Sequence, residues 1–172
     1  MRFGAHVSAA GGLFNGPKNG AALGCEVIQI FSRPPQSWAV KAITDDEALA
    51  YRQASKANKI EVTYIHAPYL INLASSTPRT RHGSVTMLRQ ELDRGTQIGA
   101  RAMMFHPGSA KDVGEAKGVQ MVIEGLNRIL DGYKGTCQLL IEISAGPWLE
   151  RNVSPHPAWR RSKATQRLTA AP

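Results

Sequence analysis

The 172-residue sequence is poor in cysteine and has no long apolar run. Its two cysteines, Cys25 and Cys137, both lie in apolar surroundings, which favours buried free thiols in a reducing compartment over a disulfide framework. No stretch approaches the ~20 consecutive apolar residues of a membrane span, and the first residues lack the apolar core of a secretory signal. We therefore expect a cytoplasmic protein with no membrane partner.

Acidic residues are scarce: 21 basic and 13 acidic side chains give a net charge of +8. The segment 147–172 holds five of the basic residues and one acid, so it carries half of the excess. The remaining +4 is spread over 146 residues that are otherwise of ordinary globular composition. Such a balance suits a polyanionic partner but does not require one.

Short apolar runs alternate with segments of helical character, which predicts an α/β fold with a parallel sheet. The predicted strands cover residues 2–6, 27–31, 60–66, 102–106 and 139–143. The predicted helices cover residues 13–23, 44–58, 84–98 and 119–130. The helix at 44–58 opens with a capping box, whereas glycine and proline interrupt the one at 13–23.

Three successive predicted strands end in a residue type that binds metals: His66, His106 and Glu142. The carboxyl ends of parallel strands meet at one edge of a sheet, so these side chains could converge on one ion. Two histidines and one carboxylate form a recognised catalytic zinc set. A single histidine at a strand end is more often a hydrogen-bonded structural residue, and the spacing alone leaves both readings open. His6, at the end of the first strand, could be a fourth polar group of the site or a core histidine.

Longer motifs surround these residues. They read GAHVSAAGGL at 4–13, HAPYLINLA at 66–74, FHPGS at 105–109 and IEISAG at 141–146. Four motifs in this order resemble the endonuclease IV family, the zinc-dependent apurinic/apyrimidinic endonucleases. The resemblance covers residues 1–146 and implies a (β/α)8 TIM barrel.

The resemblance also implies a chemistry. The family hydrolyses the phosphodiester 5′ to an abasic site in double-stranded DNA, as part of base excision repair, with three zinc ions that activate a hydroxide. By motif position, His66 and His106 would bind one zinc, and Glu142 would bridge it to a second and take part in catalysis.

Two loops would contact DNA by the same resemblance. Tyr69 and Leu70 fall on a loop that the family inserts into the minor groove, where an aromatic and apolar wedge can unstack a duplex. The segment FSRPPQSW at 31–38 matches a second DNA-contacting loop. Family members commonly carry Arg where Gln36 stands, and Arg33 is expected to supply the missing charge.

The resemblance stops after residue 146. Residues 147–172 match no later motif of the family, and we expect an unrelated basic tail that is disordered or results from a frameshift. The barrel would then be truncated at about five strands, with at most one zinc fully ligated, impaired activity and self-association through exposed strand edges.

Two alternatives stay open. Metal-dependent sugar isomerases and epimerases share a barrel of this kind, although the motifs at 66–74 and 105–109 argue against them. A non-catalytic fragment that binds nucleic acid through its basic residues is the other alternative.

Overall fold

In a computed structural model that describes residues 1–142, five parallel strands form one sheet in sequence order. The strands are β1 (Gly4–His6), β2 (Val27–Ile30), β3 (Val62–His66), β4 (Ala102–Phe105) and β5 (Gln138–Ile141). All five predicted strands are therefore confirmed, with ends that differ by one or two residues. Every neighbouring pair is parallel, as the alternation of apolar runs and helical segments predicts.

Four helices connect the strands. They are α1 (Asn15–Ala22), α2 (Asp45–Ala57), α3 (Pro78–Ile98) and α4 (Glu115–Leu130). The capping box of α2 forms as predicted: the Thr44 hydroxyl accepts from the Glu47 amide, and the Glu47 carboxylate accepts from the Thr44 amide. Helix α3 begins six residues earlier than predicted. Pro78 favours a helix start, since proline suits the first helical position. The prediction missed this turn because the polar residues after Pro78 show no apolar period.

Helix α1 forms although its sequence is unfavourable for an isolated helix. Gly16 and Gly20 face Ile30 and Ile28 of β2, and a Cβ atom on either glycine would crowd those side chains. Pro17 lies in the first turn, where no intrahelical amide bond is lost. Close packing on the sheet thus compensates for a low intrinsic helix propensity.

The two faces of the sheet differ in burial. One face carries the fully buried core residues and packs on the helices; its members include Ile28, Ile30, Ile65, Met103 and Phe105. The opposite face carries half-buried residues such as Tyr64, Met104 and Leu140. Since side chains alternate along a strand, every second residue towards the carboxyl ends lies on this more open face.

Within residues 1–142, β1 pairs on one side with β2, and β5 pairs on one side with β4. The predicted change of character after residue 146 lies outside the described residues. No described helix combines the length and apolar character needed to cross a membrane.

Candidate metal centre and its surrounding loops

The three predicted metal ligands converge at the carboxyl edge of the sheet. His66 ends β3, while His106 and Glu142 directly follow β4 and β5. In the register, His66 lies opposite Met104, and Met104 lies opposite Leu140. Alternation along the strands places all three ligand residues on the open face, and one donor atom from each lies within 4.8 Å of the other two.

One ring nitrogen of His66 forms a hydrogen bond, and the other, Nε2, is left to bind a ligand. Its Nδ1 lies 2.6 Å from the carbonyl oxygen of Ala67, so Nδ1 must carry a proton to donate. In the neutral ring the lone pair is then on Nε2, which lies 3.2 Å from Oε2 of Glu142. A histidine held through its other nitrogen by a backbone carbonyl is the usual arrangement around a protein-bound metal.

Two further atoms of the group lack hydrogen-bond partners among the described residues. Nδ1 of His106 and Oε2 of Glu142 are both buried, and neither forms a hydrogen bond. The contact between Glu142 and His66 is close enough for an ion pair but is not a hydrogen bond. Buried acceptors without donors cost free energy unless a cation satisfies them, so this donor set fits a divalent metal.

Aromatic rings lie beside His66 of the candidate centre. Tyr69 lies with its ring centroid 5.6 Å from that of His66 and 5.4 Å from that of Phe31, yet the residue is 61% exposed. His6 stacks obliquely against Phe31 at 4.6 Å and bonds through Nδ1 to Oε1 of Gln29. Because His6 is exposed at the rim of the cluster, it is a polar neighbour of the site and not a core residue.

The predicted DNA-contacting residues separate into two groups. Tyr69 and Gln36 are exposed, and Leu70 is half-buried beside Tyr69. Arg33 differs: its side chain is 0% exposed, and its Nε donates to Oε1 of Glu91 at 2.5 Å. The expectation that Arg33 supplies a charge to DNA is therefore corrected, because a guanidinium buried in an ion pair is not presented to a ligand.

Arg33 pairs with Glu91, and Oε1 of Glu91 also lies 3.6 Å from Nε of Arg94; no motif of the sequence predicts a role for Glu91 or Arg94. Glu91 and Arg94 lie on α3, and both are buried. Burial lowers the pKa of Arg94, and the nearby Glu91 carboxylate opposes that shift. Glu91 stands between Leu88 and Leu92 on the apolar side of the helix, and a carboxylate in that setting is the sequence signal that could have revealed it.

A second polar link joins the loops that follow β3 and β4. Asn72 donates to the Ser109 carbonyl at 3.3 Å, and its Oδ1 accepts from the Ser109 amide at 3.3 Å. Leu73 also donates to the Pro107 carbonyl at 3.0 Å. The loops that begin at His66 and His106 are thus tied together beside the candidate metal centre.

The fold and the site together define a parallel α/β protein with a candidate metal centre at the carboxyl ends of its strands. Residues 17–167 match the model of the xylose isomerase-like TIM barrel family, and the chain belongs to that family. The predicted TIM barrel class is confirmed. The match continues past residue 146, and the predicted boundary there stays a prediction.

Within the family, the similarity is to endonuclease IV, as the motifs predict. A probable endonuclease 4 of Halorhodospira halophila is 40% identical over 145 residues, which are 83% of this chain and 49% of the relative. The crystal structure of endonuclease IV from Thermus thermophilus superposes with a TM-score of 0.76 at 31% identity, covering 87% of this chain and 54% of the other. The chain spans about half the length of the curated relatives it matches.

A D-psicose 3-epimerase crystal structure is also similar, with a TM-score of 0.63 at 18% identity over 83% of this chain and 52% of the other. At that identity the likeness extends to the fold alone.

Proposed function

We propose that this chain carries the N-terminal part of a zinc-dependent DNA-repair endonuclease that hydrolyses the phosphodiester 5′ to abasic sites. The observation that carries the proposal is the placement of His66, His106 and Glu142 around one point, with the exposed ring of Tyr69 next to His66. A metal-ligand set supplies hydrolytic chemistry, and an exposed aromatic ring beside it supplies a surface on which a base can stack.

The chain's own residues have separate tasks in this proposal. The Ala67 carbonyl fixes the tautomer and the orientation of His66, so that Nε2 faces Glu142. His66, His106 and Glu142 would hold the metal, and a bound zinc ion would supply Lewis-acid activation of water and of the phosphate. The described residues provide one such ligand set, compared with the three zinc ions that the resemblance implies.

Tyr69 and Leu70 would contact the duplex at the lesion. Tyr69 is exposed although its ring is large and apolar, which suits insertion beside an abasic site, where a base is missing from the stack. Gln36 is exposed on the neighbouring loop and can donate and accept hydrogen bonds at sugars or bases. Because Arg33 is buried, the contact that Gln36 would make with DNA is a neutral hydrogen bond.

The experiment that tests the proposal measures zinc content and strand cleavage on the purified chain. Duplexes with one abasic site and matched intact duplexes are compared, with parent, His106→Ala and His82→Ala proteins. His82 is an exposed histidine on α3, so it controls for the loss of an imidazole. We expect bound zinc and impaired but measurable abasic-site cleavage in the parent and His82→Ala, and loss of both in His106→Ala.

Other results would favour the alternatives. Turnover of a ketose without DNA binding would support a sugar isomerase or epimerase. DNA binding without preference for the abasic duplex, abolished by deletion of residues 147–172, would support a non-catalytic fragment. Cleavage that survives His106→Ala would contradict the assigned ligands.

Self-association through the free sides of β1 and β5 is part of the proposal for residues 1–142, since parallel edges present unpaired backbone groups. Sedimentation velocity at several concentrations tests it, and a concentration-independent monomer would contradict it. The cytoplasmic location stays a prediction.

A further inference from the structure

The loop between β2 and α2, residues 31–44, is fastened to helix α3 by a buried polar network. Glu91 on α3 has a side chain that is 0% exposed and accepts two hydrogen bonds from this loop. Ser32 donates through Oγ to Oε2 at 2.6 Å, and Arg33 donates through Nε to Oε1 at 2.5 Å. The carboxylate therefore holds two consecutive residues of the loop at the point where it leaves the sheet.

Arg94, one turn after Glu91 on α3, forms hydrogen bonds to the same loop near its beginning, at Ser32, and near its end, at Lys41. Its Nε donates to the Ser32 hydroxyl at 2.7 Å, and its Nη2 donates to the Ser32 carbonyl. Its Nη1 donates to the carbonyl of Lys41 at 2.9 Å, nine positions further along the loop. One rigid guanidinium thus sets the distance between the two ends of the loop.

The middle of the loop is connected to the candidate site. The Pro35 carbonyl accepts from the amide of Tyr69 at 3.1 Å, which joins this loop to the one that carries the exposed ring. Trp38 lies against Gly83 on α3, where a Cβ atom would come within 2.9 Å of its ring. The position of Tyr69 over His66 therefore depends on a loop whose own position depends on Glu91 and Arg94.

We propose that Glu91 and Arg94 are positioning residues, which hold the loop at 31–44 and through Pro35 place Tyr69 and Gln36 for contact with abasic DNA. This inference rests on the proposed function for its ligand, but it assigns a role to residues outside the metal centre. A buried ionic network contributes little net stability compared with well-packed apolar residues, whereas it fixes geometry through directional bonds. The network of Arg33, Arg94 and Glu91 lies beneath a loop that would contact the ligand. Its role is therefore better explained by fixed loop geometry than by added stability.

The test uses the full chain with Trp148→Phe and Trp159→Phe, so that Trp38 is the only tryptophan and reports on the loop. Glu91→Gln keeps the shape of the side chain and removes its charge. Ser32→Ala is the milder variant, because it leaves the Arg33–Glu91 pair intact, and it carries the test where Glu91→Gln does not fold. Asp93→Asn is the control, since Asp93 lies on the same helix in a solvent-exposed pair with Arg89.

We expect both network variants to increase acrylamide quenching of Trp38 and to weaken abasic-duplex binding by about tenfold, the scale of one lost hydrogen bond to a charged group. Zinc affinity should change by less than about twofold, because the network shares no ligand with the metal centre. The Asp93→Asn protein should match the parent in all three measurements.

Unchanged Trp38 quenching in a folded network variant would overturn the inference. Equal weakening in Asp93→Asn, or a parallel loss of zinc affinity, would also overturn it, because either would indicate general destabilisation. A parent chain without preference for abasic DNA would refute the proposed function, while Trp38 quenching would still decide whether the network holds the loop.

Discussion

His66 and Glu142 face each other across strand β4, with Nε2 and Oε2 3.2 Å apart and no hydrogen bond between them. The second nitrogen of His66 is committed to the Ala67 carbonyl. Two acceptor atoms at this distance repel unless a proton or a metal ion lies between them. We therefore propose the pair as part of a cation site, whose preferred cation can be measured.

Glu142→Gln should lower zinc affinity by at least about tenfold, because loss of a direct ligand costs no less than loss of an outer partner. The amide keeps the shape of the side chain but brings no negative charge. Competition with a chromophoric chelator gives the affinity, and the zinc-induced rise in melting temperature should shrink in parallel. Glu124→Gln, a change on the exposed side of α4, is the matched control; equal zinc affinity in parent and Glu142→Gln would refute the ligand assignment.

Tyr69→Ala should weaken binding of an abasic duplex by about 1–3 kcal/mol, the scale of one base stacked on an aromatic ring. Zinc affinity should not change, because the proposed ligands are His66, His106 and Glu142, and Tyr69 lies beside His66 with a ring-centroid distance of 5.6 Å. Fluorescence anisotropy with labelled duplexes measures the binding, and Tyr69→Phe should retain it. Identical affinities for the Ala variant and the parent would show that the ring does not contact DNA.

Alkaline stability should depend on Tyr51. Burial raises the pKa of Tyr51 to about 12, and its hydroxyl lies 2.7 Å from Oγ1 of Thr63. Because the folded-state pKa exceeds the ordinary value of 10.0, the unfolded chain loses this proton first, so the free energy of unfolding falls as pH rises from about 10 towards 12.

Tyr51→Phe should flatten that dependence while costing about 1 kcal/mol at neutral pH through the lost hydrogen bond. Urea unfolding at a series of pH values from about 8 to about 12 provides the measurement, since it spans the ordinary and the raised pKa. Tyr69→Phe, which removes an exposed phenol, serves as the comparison. A slope in Tyr51→Phe as steep as in the parent would assign the alkaline loss to other groups.

The two cysteines should react in a fixed order. Cys137 is buried, and burial raises the pKa of its thiol to about 12, so almost no thiolate is present at pH 8. Cys25 is half-buried and reachable from solvent. A thiol reagent should label Cys25 in the folded chain and Cys137 after unfolding; the Cys25→Ser and Cys137→Ser proteins identify each signal, and early labelling of Cys137 would contradict its burial.

Much of the site could be predicted from residue order alone. Parallel strands end at one edge, so a histidine or glutamate at three successive strand ends could converge there if their side chains share a face of the sheet. The capping box of α2 was equally visible, because it uses only local bonds between residues 44 and 47.

Tertiary contacts account for what sequence reasoning missed. Arg33 stands in a polar loop and looks like a free cation, and its burial depends on Glu91, which is 58 positions away. Helix α1 is a related case. Its glycines are unfavourable in an isolated helix, and they are favourable here only because they allow close packing on Ile28 and Ile30. In both cases the partner comes from an element that local patterns do not specify.

The proposed metal ligands come together only when the strands have paired in order, so they can report on the assembly of the sheet. The Glu142 amide donates to the Phe105 carbonyl at 3.0 Å, which places the carboxylate only once β5 has paired with β4. His66 and Glu142 are therefore brought together by the pairing of β5, the last strand within residues 1–142, and by none of the earlier strands. If these residues bind a metal as proposed, zinc affinity should report whether β5 has docked on β4, and a zinc titration would follow the completion of the five-stranded sheet without any label.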